Sequence, residues 1–136
     1  MLGAFTGDAL GSFLEFTKGA IKSKTVAKAM TMPGGGFWYT KPGQVTDDSE
    51  LAMCQLRGLL AGEGKFDLFH HCLYYRQWLA DGPFDIGSTT QNGLGALLEH
   101  DDPNPAACVE AAATGEEATS LSNGSLMRIT PLAVWA

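Results

Sequence analysis

Apolar residues recur at intervals of three and four along nearly the whole chain, rather than in strict alternation, and a backbone that must bury one face at that period is a helix. Leu2, Phe5, Ala9, Leu10, Phe13 and Leu14 fit a first helix, and Leu51, Ala52, Leu56, Leu59 and Leu60 a second. Phe66, Phe69, Leu73, Tyr74 and Trp78 fit a third, and Leu94, Leu97 and Leu98 a fourth. Pro103-Asn104-Pro105 stops that fourth helix and starts an Ala-rich one through Ala113. The pattern predicts an all-α fold, a compact helical domain.

Two stretches interrupt the pattern. Met32-Pro33-Gly34-Gly35-Gly36-Phe37-Trp38-Tyr39 combines three glycines that free the backbone with three aromatics that call for burial, and is expected to form an ordered loop over the helices. The basic cluster Lys18, Lys22, Lys24 and Lys28 reads as a solvated stretch between helices. At the end, Thr130 reads as an N-cap and Pro131 as the first helical residue of an apolar helix that stops at Ala136. A buried helix cut in its first turn predicts a chain truncated at its C-terminus, with an exposed apolar end prone to self-association.

A chain of 136 residues suits one domain with one core, and 45% hydrophobic residues suffice to build it. The charged fraction of 18% lies below the roughly 25% usual for soluble domains, which predicts apolar surface covered by something else. A net charge of -6 excludes a nucleic-acid or anionic-membrane surface, since phosphates are held by clustered Lys and Arg. Three cysteines, Cys54, Cys72 and Cys108, give neither a disulfide framework nor a zinc spacing. Without an apolar run of about 18 residues or a signal pattern, the expectation is a soluble cytoplasmic protein.

Chemistry concentrates in Thr46-Asp47-Asp48-Ser49-Glu50. One reading is a helix N-terminus, with Thr46 or Asp47 as cap and Glu50 closing a capping box. The other is a half-shell of hard oxygen ligands for Mg²⁺ or Mn²⁺, which two carboxylates and a hydroxyl suit and which they cannot complete alone. Ser122-Asn123-Gly124-Ser125 reads as an ordinary N-cap or as a turn whose free N–H groups meet a phosphate. Asp8, between Gly7 and Gly11, is expected to bond backbone or metal-bound water. Glu15 on residues alone is a solvent-facing acid, and Asp101-Asp102 are turn acids. His70 and His71, adjacent on a helix, cannot chelate one ion, and His100 suits a helix C-terminus. Trp38, Trp78 and Trp135 read as core, with a border to an adenine pocket as the alternative for Phe37 to Tyr39.

Four strings stand in order along the chain: Gly7-Asp8-Ala9-Leu10-Gly11 followed by Glu15; Lys41-Pro42-Gly43-Gln44-Val45-Thr46-Asp47-Asp48-Ser49-Glu50; Asp85-Ile86-Gly87-Ser88-Thr89-Thr90; and Asn123-Gly124-Ser125-Leu126-Met127-Arg128-Ile129-Thr130-Pro131-Leu132. Together they resemble the ADP-ribosylglycohydrolase family, in particular its dinitrogenase reductase-activating glycohydrolase branch. The resemblance implies the all-α fold of that family, with residues 1–136 forming the N-terminal portion of a single such domain. It implies that Thr46, Asp47 and Asp48 ligate one or two Mg²⁺ or Mn²⁺ ions and that Glu15 and Asp47 take part in catalysis. It places Gly87, Ser88, Asn123, Gly124 and Ser125 near ADP-ribose, and leaves Arg128 a structural ion-pair or capping partner. The implied reaction is hydrolysis of the ribose C1″–nitrogen bond to a protein side chain, most often arginine, so the partner is an ADP-ribosylated protein or ADP-ribose conjugate. The family completes its metal shell from a second cluster that has no match here. The alternative expectation is therefore an inactive fragment or an ADP-ribose-binding remnant.

Overall fold

The computed structural model describes residues 1–136 except residues 100, 103 and 115–118. The readings of His100 and Pro103 therefore lie outside the described residues, as does the side chain of Cys108. The described residues form helices and no strand, with one isolated antiparallel bridge between Gly35 and Thr40. None of these helices is long and apolar enough to cross a membrane. The chain divides into two compact units, Met1–Ser49 and Glu50–Ala136.

In the first unit, helix α1 spans Leu2–Gly11 and ends sooner than the apolar pattern through Leu14 suggests. The chain goes on in turns, with the N–H groups of Leu14 and Glu15 both donating to the Gly11 carbonyl at 2.8 and 3.1 Å. Helix α2, Ser23–Ala29, corrects the reading of the basic cluster as a stretch between helices. Lys24 and Lys28 lie on it, and the Lys28 ammonium sits 5.1 Å from the Phe13 ring centre, a cation–π contact. Seven residues with Ala29 alone buried give too little apolar periodicity to show in the sequence.

The glycine-rich loop closes on itself through the Gly35–Thr40 bridge, with N–H to carbonyl distances of 2.7 and 3.1 Å. Gly36 adopts φ +70°, and a Cβ there would meet the Ser12 carbonyl oxygen at 2.9 Å and Phe13 backbone at 3.1 Å. Only glycine lets this loop lie directly on the turn that follows α1. The expected burial of the loop aromatics is not found: Phe37 is 56% and Tyr39 89% exposed, and Trp38 is half-buried. Phe37 and Trp38 are held instead by ring-to-ring contact, described below.

In the second unit the remainder of helix α3 (Asp47–Ala61) is followed by α4 (Leu68–Ala80), α5 (Ser88–Gly95), a 3₁₀ turn (Ala96–Leu98), α6 (Pro105–Thr114), α7 (Gly124–Met127) and α8 (Thr130–Trp135). Asp67 caps α4, its carboxylate accepting the Phe69 N–H at 2.9 Å. Helix α4 packs against α5, α6 and the 3₁₀ turn. Leu51, Cys54, Cys72, Tyr75, Trp78, Leu94 and Leu97 form one buried cluster, with Leu51 and Leu97 wholly enclosed. Burial pushes the Cys54 thiol up to about 11, so it behaves as a small apolar residue rather than a nucleophile. His71 is structural: its Nδ1 meets the Asp67 carbonyl at 2.7 Å and its ring stacks on Phe66 at 4.6 Å.

Three expectations change here. Trp78 is core as expected, whereas Trp135 is 43% exposed. Thr130 is the first residue of α8 rather than its cap, a position held by Ile129. The capping box also dissolves, because Glu50 turns from the start of α3 to accept the Trp78 indole N–H at 2.7 Å. That bond to a carboxylate in a partly buried setting is worth about 2 kcal/mol. Trp78→Phe is expected to lower stability by about that amount, read as a lower urea midpoint at unchanged slope.

Candidate metal centre and ligand pocket

The start of α3 is organised by a residue far away in the chain. The Asp8 carboxylate, on α1, accepts the backbone N–H of Thr46 at 3.0 and 3.2 Å and that of Ser49 at 3.2 Å. It also accepts the hydroxyls of Thr46 at 2.8 Å and Ser49 at 2.5 Å. Helix N-termini leave several N–H groups without intrahelical partners, and an anion there is doubly favoured by bonding and by the helix dipole. Asp8 fills that role, so the capping expected of Thr46 or Asp47 comes from α1. The expectation that Asp8 bonds backbone holds, at residues the spacing did not reveal.

This arrangement frees Asp48 and Thr46 for other work. A hydroxyl has one hydrogen, and the nearer acceptor of the Thr46 hydroxyl is Asp8 at 2.8 Å rather than Asp48 at 3.4 Å. The Thr46 hydroxyl is thus committed chiefly to Asp8 and makes only a long contact with the Asp48 carboxylate. Burial, and then the neighbouring Asp8 charge, push the Asp48 carboxyl above its ordinary value, against a weaker opposing pull from the Thr46 hydroxyl. Asp8, Gly11, Ser12, Leu14, Glu15, Thr46 and Asp48 line a cleft of about 340 Å³. Asp8, Glu15 and Asp48 bring three carboxylates to this cleft, and no thiol or imidazole lines it. Among the described residues no three acid, histidine or cysteine side chains converge into a group that could hold a metal ion.

Of the residues singled out from the sequence, Thr46, Asp48 and Glu15 come together in this cleft. Asp47, the first residue of α3, is buried at 7% exposure and does not line it. Glu15 is exposed and accepts the Trp38 indole N–H at 3.0 Å. Sequence reasoning missed Asp8 as the organiser and Trp38 as the partner of Glu15. The one available signal was Asp8 flanked by glycines, at a position where a charge needs a nearby donor.

The second unit holds a separate pocket of about 320 Å³, lined by Leu68, Cys72, Val109 and Leu94 on its apolar side and by Thr89, Thr90, Ser120, Ser122, Gly124, Ser125 and Arg128 on its polar side. Gly124 and Ser125 line it as the turn reading requires, whereas Asn123, Gly87 and Ser88 do not. Gly87 is the N-cap of α5 and Ser88 its first residue, next to the lining pair Thr89 and Thr90. Asn123 makes no side-chain cap, and its carbonyl takes the N–H groups of Leu126 and Met127 at 2.8 and 2.9 Å. Gly124 packs so closely that a Cβ would stand 2.9 Å from the Thr90 hydroxyl. Helix α7 has a single turn, so its dipole adds little and the donors must come from side chains. Arg128 is the chief one. Its guanidinium lies 5.3 Å over the Tyr75 ring, and its Nη1 is buried without a hydrogen-bond partner among the described residues.

Comparison with known proteins brings these features together. A family model described as ADP-ribosylglycohydrolase matches residues 1–136. The chain is 35% identical over 133 residues to a protein of Acanthamoeba polyphaga mimivirus, covering 95% of this chain and 38% of that one. It is 36% identical over 135 residues to the ADP-ribosyl-[dinitrogen reductase] glycohydrolase of Rhodospirillum rubrum, covering 98% of this chain and 42% of the relative. The ADP-ribosylarginine hydrolase of Serratia proteamaculans is 33% identical over 108 residues, 74% of this chain and 28% of its own length. The chain thus spans about two fifths of the length of the first two relatives. With the helical fold and the match along every residue, the chain belongs to the ADP-ribosylglycohydrolase family.

Proposed function

We propose that this chain carries the catalytic cleft of a divalent-cation-dependent hydrolase that removes ADP-ribose from a modified protein side chain, with ADP-ribosylarginine as the substrate class. The observation that carries the reading is the cleft in which Asp8 restrains the Thr46 hydroxyl, Asp48 is held above its ordinary value, and Glu15 stands on the same wall. The names of the Rhodospirillum and Serratia relatives support the substrate class.

Thr46 and Asp48 would hold Mg²⁺ or Mn²⁺, while Asp47 is assigned the same role by resemblance. When bound, such an ion supplies Lewis-acid polarisation and orients ribose hydroxyls. Asp8, by accepting the Thr46 hydroxyl hydrogen, would leave the lone pairs of Thr46 Oγ1 available to such an ion. Glu15 takes a proton from the attacking water while the C1″–nitrogen bond breaks with oxocarbenium-like character, and the proton is returned to the leaving guanidine. In the second unit, Arg128 Nη1 and the hydroxyls of Thr90, Ser122 and Ser125 are donors suited to a diphosphate. Asn123, Gly87 and Ser88 would act from beside that pocket.

The test is titration of the chain with Mn²⁺, with and without ADP-ribose, alongside release of ADP-ribose from an ADP-ribosylarginine peptide. Saturable Mn²⁺ binding with metal-dependent release is the expected result. A folded chain that binds no Mn²⁺, binds ADP-ribose and releases nothing would instead establish the binding-remnant reading.

A further inference from the structure

Glu15 lies in an exposed turn, where a carboxylate would ordinarily sweep through several rotamers. Its Oε2 is instead held at 3.0 Å by the indole N–H of Trp38, 23 residues away in the chain. Trp38 is itself fixed: the Phe37 ring meets it edge-on at 4.9 Å and the Phe16 ring at 6.1 Å, with Phe16 and Phe37 at 4.7 Å from each other. The residues immediately after each member of the pair, Phe16 and Tyr39, adopt φ +54° and +52°. Two non-glycine residues in the left-handed region, one after Glu15 and one after Trp38, persist because the surrounding contacts over-determine them. Gly36, seated on Ser12 and Phe13, brings the loop to the turn that carries Glu15.

We propose that Trp38 is a positioning residue which, clamped by Phe16 and Phe37, aims the Glu15 carboxylate into the Asp8–Thr46–Asp48 cleft and leaves Oε1 as the oxygen that handles the proton. This rests on the reading of Glu15 as the proton-transferring acid. It gives the exposed aromatic loop a task that burial does not explain. A side chain on a mobile turn loses most of its value in proton transfer when its reach wanders by an ångström, which is why a rigid second contact matters.

The experiment compares steady-state kinetics on ADP-ribosylarginine peptide for the unsubstituted chain, Trp38→Phe, Glu15→Gln and the double variant, with Mn²⁺ affinity measured for each. Trp38→Phe keeps a ring in the cluster and removes only the N–H donor and one ring of the indole. Its kcat is expected to fall by roughly 10- to 100-fold, with KM and Mn²⁺ affinity nearly unchanged. In the Glu15→Gln background the same substitution is expected to cost almost nothing further, because both act through one carboxylate. Replacement of Trp38 by 3-benzothienylalanine, which keeps the bicyclic shape and lacks the N–H, should reproduce the loss and so separates the missing donor from any change of packing in Trp38→Phe. Full kcat in the 3-benzothienylalanine variant, whatever Trp38→Phe does, or a loss that adds in full to that of Glu15→Gln, would overturn the positioning role while leaving the role of Glu15 intact. Full turnover in Glu15→Gln, or none in the unsubstituted folded chain, would overturn the underlying reading and this inference with it.

Discussion

Replacing Asp8 with alanine is expected to lower the stability of the chain by roughly 3–5 kcal/mol, the range seen when one partner of a partly buried charged network is removed. Four donors converge on this one carboxylate: the N–H groups and the hydroxyls of Thr46 and Ser49. Thr46 and Ser49 are themselves 3% and 2% exposed, so water replaces the lost acceptor poorly. Asp8→Asn retains one carbonyl acceptor and turns an NH₂ toward the remaining donors, so its loss should fall between the wild type and Asp8→Ala. Urea unfolding followed by circular dichroism reads both. A midpoint shift worth less than about 1 kcal/mol for Asp8→Ala would mean that the donors find other acceptors and that Asp8 does not organise the start of α3.

Asp48→Asn is expected to act in opposite directions with and without a divalent cation. Burial and the Asp8 charge raise the folded-state value of Asp48 above its ordinary 3.8, so the folded chain binds the proton more tightly than the unfolded one. Stability from this group is therefore full below the unfolded value and is lost as pH rises through the raised folded value. At neutral pH the ionised carboxylate is a burden on the metal-free fold. Removing its charge should raise the metal-free urea midpoint at pH 7 and flatten the decline of stability as pH rises above the ordinary carboxylate value. In the proposed centre Asp48 is also a cation ligand, so the variant should lose Mn²⁺ affinity on the order of 100-fold, at or above the upper end of what the loss of an outer partner produces. Millimolar Mn²⁺ should stabilise the wild type by mass action and leave Asp48→Asn unmoved. Equal Mn²⁺ stabilisation of both chains would remove Asp48 from the proposed ligand set.

What could be read from residue order was whatever depended on near neighbours. The apolar spacing of Leu51 to Leu60 and of Phe69 to Trp78 located α3 and α4, because an amphipathic stripe is a local property. Thr46 and Asp48 stood out as candidate hard ligands by their chemistry, and the ordered motifs placed the chain in its family. Contacts between distant residues were not legible. Glu50 has the correct offset for a capping box, yet the indole of Trp78 competes for it from 28 residues away. The Asp8 cap and the Trp38–Glu15 bond likewise join segments whose separation carries no periodic signal. Phe37 and Tyr39 were assigned to the interior on hydrophobicity alone, a one-way rule that exposed aromatics often break. Helix α2 escaped notice because a seven-residue helix rich in lysine has almost no buried face.

The source of the cap on α3 changes when that helix can form. An ordinary N-cap is the residue next door and is available as soon as the turn nucleates, whereas Asp8 reaches Thr46 across 38 positions. Bringing two such points together costs roughly 3 kcal/mol of chain entropy before any bond returns it. The first turn of α3 is thus a non-local element within a local helix: its order waits on the arrival of α1, and it is lost when α1 departs. Residues 46–49 consequently behave less as the beginning of a helix than as a latch, shut only once the N-terminal segment has found its place.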